Sequence, residues 1–222
     1  MSETVKIPEK MLEVRDLDTR FVVEGKEVRA VEHVNLDLYK GEIVGIVGES
    51  GSGKSVTMMS VMQLISAPGK VCGGEVHIAG NPDNILSYAP NSKEMQKVRG
   101  GKIAMIFQEP MTSLNPVLTV GYQISEVIRL HLGMNKADAK KRAIEMLKEV
   151  GIPDAESRYG YYAQQFSGGM RQRIMIAMAL AADPDILIAD EATTALDVTT
   201  QAQLLDLMQN LARTRGIAIV IV

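Results

Sequence analysis

The chain has 222 residues, 46% hydrophobic and 23% charged with no low-complexity tract, enough for one large α/β domain, or one domain carrying an inserted subdomain, with a sizeable core. Its 24 basic and 27 acidic side chains leave a formal net charge of −3, which gives no electrostatic footprint for nucleic acid. The single cysteine, Cys72, excludes an internal disulfide or a cysteine metal cluster, fits a reducing compartment and reads as a small apolar filler near a strand.

The polar start "MSETVKIPEK" lacks the apolar core of a signal peptide. "MLEVRDLDTRFVV" and "VRAVEHVNLDL" alternate apolar and polar residues, the pattern of half-buried strands in an antiparallel layer. "IVGIVG" is apolar on both faces and predicts a fully covered strand. A Gly/Ser loop and a Met-rich helix, "KSVTMMSVMQLI", follow it. "GEVHIAG" and "KIAMIFQ" read as further strands. Between Glu109 and Phe166 the pattern turns helical, which predicts an inserted helical subdomain. Within it, "NKADAKKRAIEMLKEVG" predicts a helix with Asn135 as N-cap, Asp138 three residues on and Gly151 just past its end. Ile144, Leu147 and Val150 trace its apolar side. "SGGMRQRIMIAMALAA" (helix), "DILIAD" (buried strand), "TTQAQLLDLMQNLARTRG" (helix stopping at Gly216) and "IAIVIV" (buried strand) complete the chain. This alternation implies parallel crossovers. The longest apolar stretches, "IMIAMALAA" and "IAIVIV", fall far short of the ~20 residues that cross a bilayer, and the fourteen methionines sit mostly at helical core spacing.

"GESGSGKS", Gly48 to Ser55, fits G-x-x-x-x-G-K-[ST] between a buried strand and a helix. Glycines let the backbone N–H groups of Gly48, Glu49, Ser50, Gly51, Ser52, Gly53 and the first helical residues through Val56 converge on phosphate oxygens, and the helix N-terminus adds partial positive charge. Lys54 supplies a full charge to the β and γ phosphates, and the Ser55 hydroxyl is placed to ligate Mg²⁺. In "DILIADEA", Asp190 and Glu191 stand at the carboxyl end of a strand, where ligands of open α/β sheets gather. Asp190 would hold the Mg²⁺ shell and Glu191 would orient or deprotonate the attacking water. "QFSGGMRQR" places Ser167, Gly168 and Gly169 before an arginine-containing helix, a second phosphate-binding nest in the same chain.

Two such nests in one chain resemble the ATP-binding subunit of an ABC transporter. The resemblance implies an α/β fold: a P-loop NTPase core with an antiparallel β subdomain and an inserted α-helical subdomain. It divides the chain at about residues 1–108 and 167–222 for the core and 109–166 for the helices. It also implies a head-to-tail dimer in which ATP lies between one subunit's phosphate loop and the other's Ser167–Gly169 segment. On the same resemblance Gln108 contacts Mg²⁺ and links nucleotide to the transmembrane partner, Asp197 in "TALD" crosses the dimer interface, and Phe21 stacks on adenine. "MIFQEPMTSLNPVLTVGYQI" and "ADEATTALDVTTQAQ" are similar to the prokaryotic oligopeptide/dipeptide/nickel importers. That subfamily implies ATP and Mg²⁺ as cofactors and a second nucleotide-binding subunit, identical or related, as partner. It further implies membrane permease subunits, an extracytoplasmic solute-binding protein and a position on the cytoplasmic face of the cell membrane.

Three departures stand out. Met170 replaces the wider family's glutamine, and Ala192 replaces the proline after the catalytic glutamate. In the family a Thr-His pair follows the strand matching "IAIVIV", and its histidine reaches the γ-phosphate. The histidines of this chain, His33, His77 and His131, all lie far upstream. The expectation is a truncated form of a longer protein, which binds Mg²⁺–ATP and hydrolyses it poorly. A soluble ABC ATPase of translation or repair, or a non-hydrolytic ATP-switched module, is the alternative; the transported solute is not legible in these motifs.

Overall fold

The computed structural model describes residues 8–107, 113–191 and 197–222. Its elements divide between two sheets and the helices around them. Strand β1 (Lys10–Val23) pairs antiparallel with β2 (Lys26–Tyr39) on one side and β4 (Gly69–Ile78) on the other. The second sheet is parallel, in the order β3 (Ile43–Gly45), β7 (Ala218–Ile221), β6 (Ile186–Ala189), β5 (Ile103–Ile106).

The alternation of side chains across the parallel strands divides the core in two. From β6, Leu187 and Ala189 join one apolar cluster and Ile186 and Ile188 the other; from β7, Ile219 faces the first and Ala218 and Val220 the second. The second cluster also takes Leu12, Val14 and Leu17 of β1 and Met58 and Val61 of helix α1 (Lys54–Val61), so it lies between the two sheets. The first is filled by helices. These are α3 (Val120–Leu132), α4 (Lys136–Glu149), the single turn α5 (Ala155–Arg158), α6 (Gly168–Leu180) and α7 (Val198–Arg215). Short α2 (Lys93–Val98) and two 3₁₀ turns, Ile85–Ser87 and Ala163–Gln165, complete the set. "DILIAD" reads as a continuous apolar run because both of its faces are covered. At ~1.5–3 kcal/mol for each large side chain removed from water, these strands hold the layers together. Methionines fill both clusters, among them Met58, Met95, Met175 and Met208.

Local chemistry fixes the ends of the helices. Asn135 Oδ1 accepts the N–H groups of Ala137 and Asp138 at 2.9 and 3.0 Å and caps α4, and Gly151 at φ 78° follows its end. Gly216, at φ 68°, stops α7. Arg142 of α4 bonds Asp183 at 2.5 Å, and Arg215 of α7 reaches both Asp183, at 3.2 Å, and Glu149. This ionic chain ties α4 to the turn that enters β6.

Two expectations need correction. "IVGIVG" is not a fully covered strand: Ile43 and Val44 are half-buried and Gly45 exposed. Among the described residues only β7 pairs with β3, and past Gly45 the chain turns into the glycine loop. The Met-rich helix ends at Val61, not Ile65. Gln63 adopts φ 51°, and the Arg99 guanidinium takes the terminal carbonyls of Met62 and Gln63 at 2.8 and 2.5 Å.

Candidate functional site

The carboxyl ends of the parallel strands put the predicted chemistry on one edge. Beyond β3, Ile46 N still donates to Ile221 O at 2.8 Å; beyond β6, Asp190 N donates to Ile106 O at 3.0 Å and Glu191 N to Val222 O at 3.2 Å. The two acidic residues are therefore held from opposite sides, Asp190 by β5 and Glu191 by the end of β7. Glu191 makes this turn at φ 47°, in the left-handed region that a non-glycine residue occupies only under local constraint.

Residues 48–55 form a loop that bends back on itself. Gly48, Glu49, Ser50, Gly51 and Ser52 are exposed, and Val47 before them is 92% exposed. Gly53 is the N-cap of α1 and offers no side chain to the first turn, so the leading N–H groups of the helix are left for a ligand. Gly53 sits at φ 91°, and a Cβ there would lie 2.3 Å from Ala30 O on β2. Only glycine fits that approach. Its carbonyl accepts both Thr57 N and Thr57 Oγ1, at 2.8 and 2.9 Å, which anchors the loop to the helix. Lys54 folds its ammonium over the loop, donating to Gly48 O at 2.8 Å, Glu49 O at 2.7 Å and Ser52 Oγ at 3.5 Å. A phosphate arriving in the loop would meet a cation already in place. A cleft of about 320 Å³ beside it is lined by Asn35, Ile46, Val47, Ser52, Lys54 and Thr57.

The contact that unites the site joins residues 135 apart: Ser55 Oγ donates to Asp190 Oδ1 at 2.7 Å. Asp190 is only 6% exposed. A hydroxyl and a buried carboxylate are hard oxygen donors of the kind Mg²⁺ takes alongside phosphate and water oxygens, so the residues present fit that ion. Among the described residues no group of three His, Cys, Asp or Glu side chains gathers elsewhere as a metal site.

The second nest is built on other elements. Ser167 caps α6, its Oγ accepting Met170 N at 3.4 Å, and Ser167 and Gly168 are exposed. A Cβ at Gly168 would meet nothing within 4 Å; one at Gly169 would lie 2.9 Å from Thr200 Cγ2 on α7. Asp197 caps α7, accepting Thr200 N at 2.9 Å and Thr200 Oγ1 at 2.7 Å. The Thr200 hydroxyl holds its carboxyl below the usual carboxylate range. Phe21 lies on β1 with its ring over Gly69 of β4: a Cβ at Gly69 would fall 2.4 Å from Phe21 Cε1. Gln108 and residues 192–196 lie outside the described residues.

The sequence motifs give no sign of one further cavity. An apolar groove of about 740 Å³ opens between β5 and the helices, lined by Ile103, Met105, Phe107, Val127, His131 and Met175 among others. Its residues come from five segments with no shared motif, so only the fold brings them together. The His131 ring packs on the Gly100–Gly101 turn, and burial pushes its pKa below 6.5.

Comparison with known proteins identifies relatives of the chain. The profile of the family described as "ABC transporter" matches residues 31–194. The oligopeptide transport ATP-binding protein OppD of Bacillus subtilis is 53% identical over 96% of the chain, and the dipeptide transport ATP-binding protein DppD of Escherichia coli is 48% identical over 96%. The chain spans 59% and 64% of the lengths of these two relatives. A solved structure described as the dimeric post-hydrolysis state of the ATP-binding cassette MJ0796 bound to ADP and Pi superposes with TM-score 0.81 at 31% identity, covering 95% of this chain and 87% of that one.

Proposed function

The chain belongs to the ABC transporter family, and on that premise we propose that it is the ATP-binding, energy-coupling part of a peptide importer. The observation that carries the reading is the Ser55–Asp190 contact at 2.7 Å, which brings the phosphate loop and the acidic strand end into one site. Backbone N–H groups of the loop and of the first turn of α1 bind the β and γ phosphates. Lys54 moves from the loop carbonyls to the phosphates. Ser55 and Asp190, joined by Gln108, would hold Mg²⁺, which would neutralise charge on the phosphate oxygens. Glu191, on its constrained backbone, orients the attacking water and accepts its proton.

Ser167, Gly168, Gly169 and Asp197 serve the nucleotide of a partner protomer. The dimeric cassette with ADP and Pi supports this arrangement, since its fold is shared by the chain. Phe21 supplies an aromatic face to the base. The helical segment carrying α3, α4 and α5 acts as a subdomain against the core, and the apolar groove between them receives the permease. Among the described residues no helix is long and apolar enough to cross a membrane. Attachment at the cytoplasmic face of the membrane runs through the permease contact. Peptides are the solute class because the relatives carry oligopeptide and dipeptide transport names.

The three histidines sit on β2, β4 and α3, so none of them assists Glu191. Titration with a fluorescent ATP analogue and a steady-state phosphate-release assay test the proposal. Lys54→Ala should abolish analogue binding, and Glu191→Gln should retain it while stopping release. Unchanged release by Glu191→Gln removes that residue from its role, and tight binding by Lys54→Ala overturns the nucleotide site itself.

A further inference from the structure

Thr200 belongs to none of the phosphate or acid motifs, yet it touches both Asp197 and the Ser167–Gly169 nest. Its Oγ1 donates to Asp197 Oδ2 at 2.7 Å and its N–H to Asp197 Oδ1 at 2.9 Å. From the same β-carbon, Cγ2 stands so close to the second nest that a Cβ on Gly169 would lie 2.9 Å from it. A β-branched side chain is stiff at χ1, so one rigid unit makes both contacts. Serine lacks the methyl and valine lacks the hydroxyl; threonine alone satisfies both sides. The face around this contact is open. Ser167, Gly168 and Asp197 are exposed, and Val198, at the first helical position of α7, is 82% exposed despite being apolar.

We propose that Thr200 is a positioning residue that fixes the Ser167–Gly169 nest against Asp197, so that a partner protomer meets both as one preset surface. The inference rests on the dimeric reading above and deepens it. Thr200 touches no nucleotide. It sets the spacing between two groups that must engage the opposite protomer together, and what it contributes is pre-organisation.

The test uses all 222 residues. Thr200→Val keeps the shape and removes the hydroxyl; Thr200→Ser keeps the hydroxyl and removes the methyl. For each, phosphate release, analogue affinity of the separate protomer and, with Glu191→Gln added, the ATP concentration that drives dimerisation are measured. Both variants should lower kcat about three- to tenfold, the effect of one modest interaction lost from the closed state. Dimerisation should require correspondingly more ATP, while protomer affinity for the analogue stays unchanged. A double-mutant cycle between Thr200→Val and Asp197→Asn should be less than additive, because both changes break one contact. Wild-type kcat and dimerisation in both variants overturns the inference, as does a loss that appears equally in protomer affinity. Failure of the unaltered chain to bind the analogue or to pair in ATP overturns the functional reading itself.

Discussion

Replacing Gly53 with alanine separates two costs that the phosphate loop otherwise hides. Gly51 and Gly53 both have positive φ, at 80° and 91°, but a Cβ on Gly51 meets nothing within 4 Å whereas one on Gly53 would lie 2.3 Å from Ala30 O. Gly51→Ala therefore carries only the backbone term, about 1–2 kcal/mol for an L-residue held in the left-handed region. Gly53→Ala carries that term and a clash with a β2 carbonyl, which cannot rotate away as a side chain does. Overpacking adds about 1–3 kcal/mol, so the total comes to about 2–5 kcal/mol. The loop can escape only by moving away from β2, and that turns the N–H groups of α1 off the phosphates. Urea denaturation of both variants, with analogue titration alongside, reads the two effects. Gly53→Ala should be the less stable by at least about 1 kcal/mol and should lose most of its nucleotide affinity. Equal destabilisation of the two variants would refute the close approach of Gly53 to β2.

Other perturbations follow from particular contacts. Ser55→Ala leaves the buried Asp190 oxygen without its donor; the cost is about 2 kcal/mol, which lowers Tm by roughly 4–8 °C for a chain of this size, and a thermal melt checks it. Arg99→Lys cannot span Met62 O, Gln63 O and Pro90 O as the guanidinium does, at 2.8, 2.5 and 2.9 Å. It should destabilise by about 1–2 kcal/mol in urea, at roughly 1 kcal/mol per bond lost. Burial lowers the pKa of His131 from 6.5, so on acidification the unfolded chain takes up this proton first. Its contribution to stability is present above pH 6.5 and is lost as pH falls towards the lower folded value. Comparing urea midpoints at pH 7.5 and 5.5, His131→Asn should show a smaller drop than the wild type; an equal drop would refute the assignment.

Much of this site is legible in the sequence. "GESGSGKS" and "DILIADEA" each carry local chemistry in a short stretch, and the fold had only to bring their strand ends side by side. Asn135 and Gly151 were readable for the same reason, because helix caps are local. What remained hidden was non-local. Nothing in "IVGIVG" says that, among the described residues, its strand pairs with β7 alone; that depends on strand order. Nothing near Gln63 announces that α1 ends early, since the group that accepts the exit, Arg99, is 36 residues on. The link between Thr200 and Gly169 and the apolar groove under His131 likewise arise only when separate segments pack. Glu191 is legible as an acid from its neighbours, but its left-handed backbone, with its N–H bonded to Val222 O, is not.

The central claim is that two nests from separate protomers close on one nucleotide, and cysteine cross-linking tests it directly. One copy would carry Ser50→Cys, which lies on the exposed loop, and another Gly168→Cys, where an added Cβ meets nothing within 4 Å. Cys72 is changed to serine in both, so that no native thiol competes. With Glu191→Gln present to prevent turnover, mixing the copies under mild oxidant should give an intermolecular disulfide that forms with Mg²⁺–ATP and not without it. A cross-link indifferent to nucleotide, or none at all in a preparation that binds the analogue, would contradict the account.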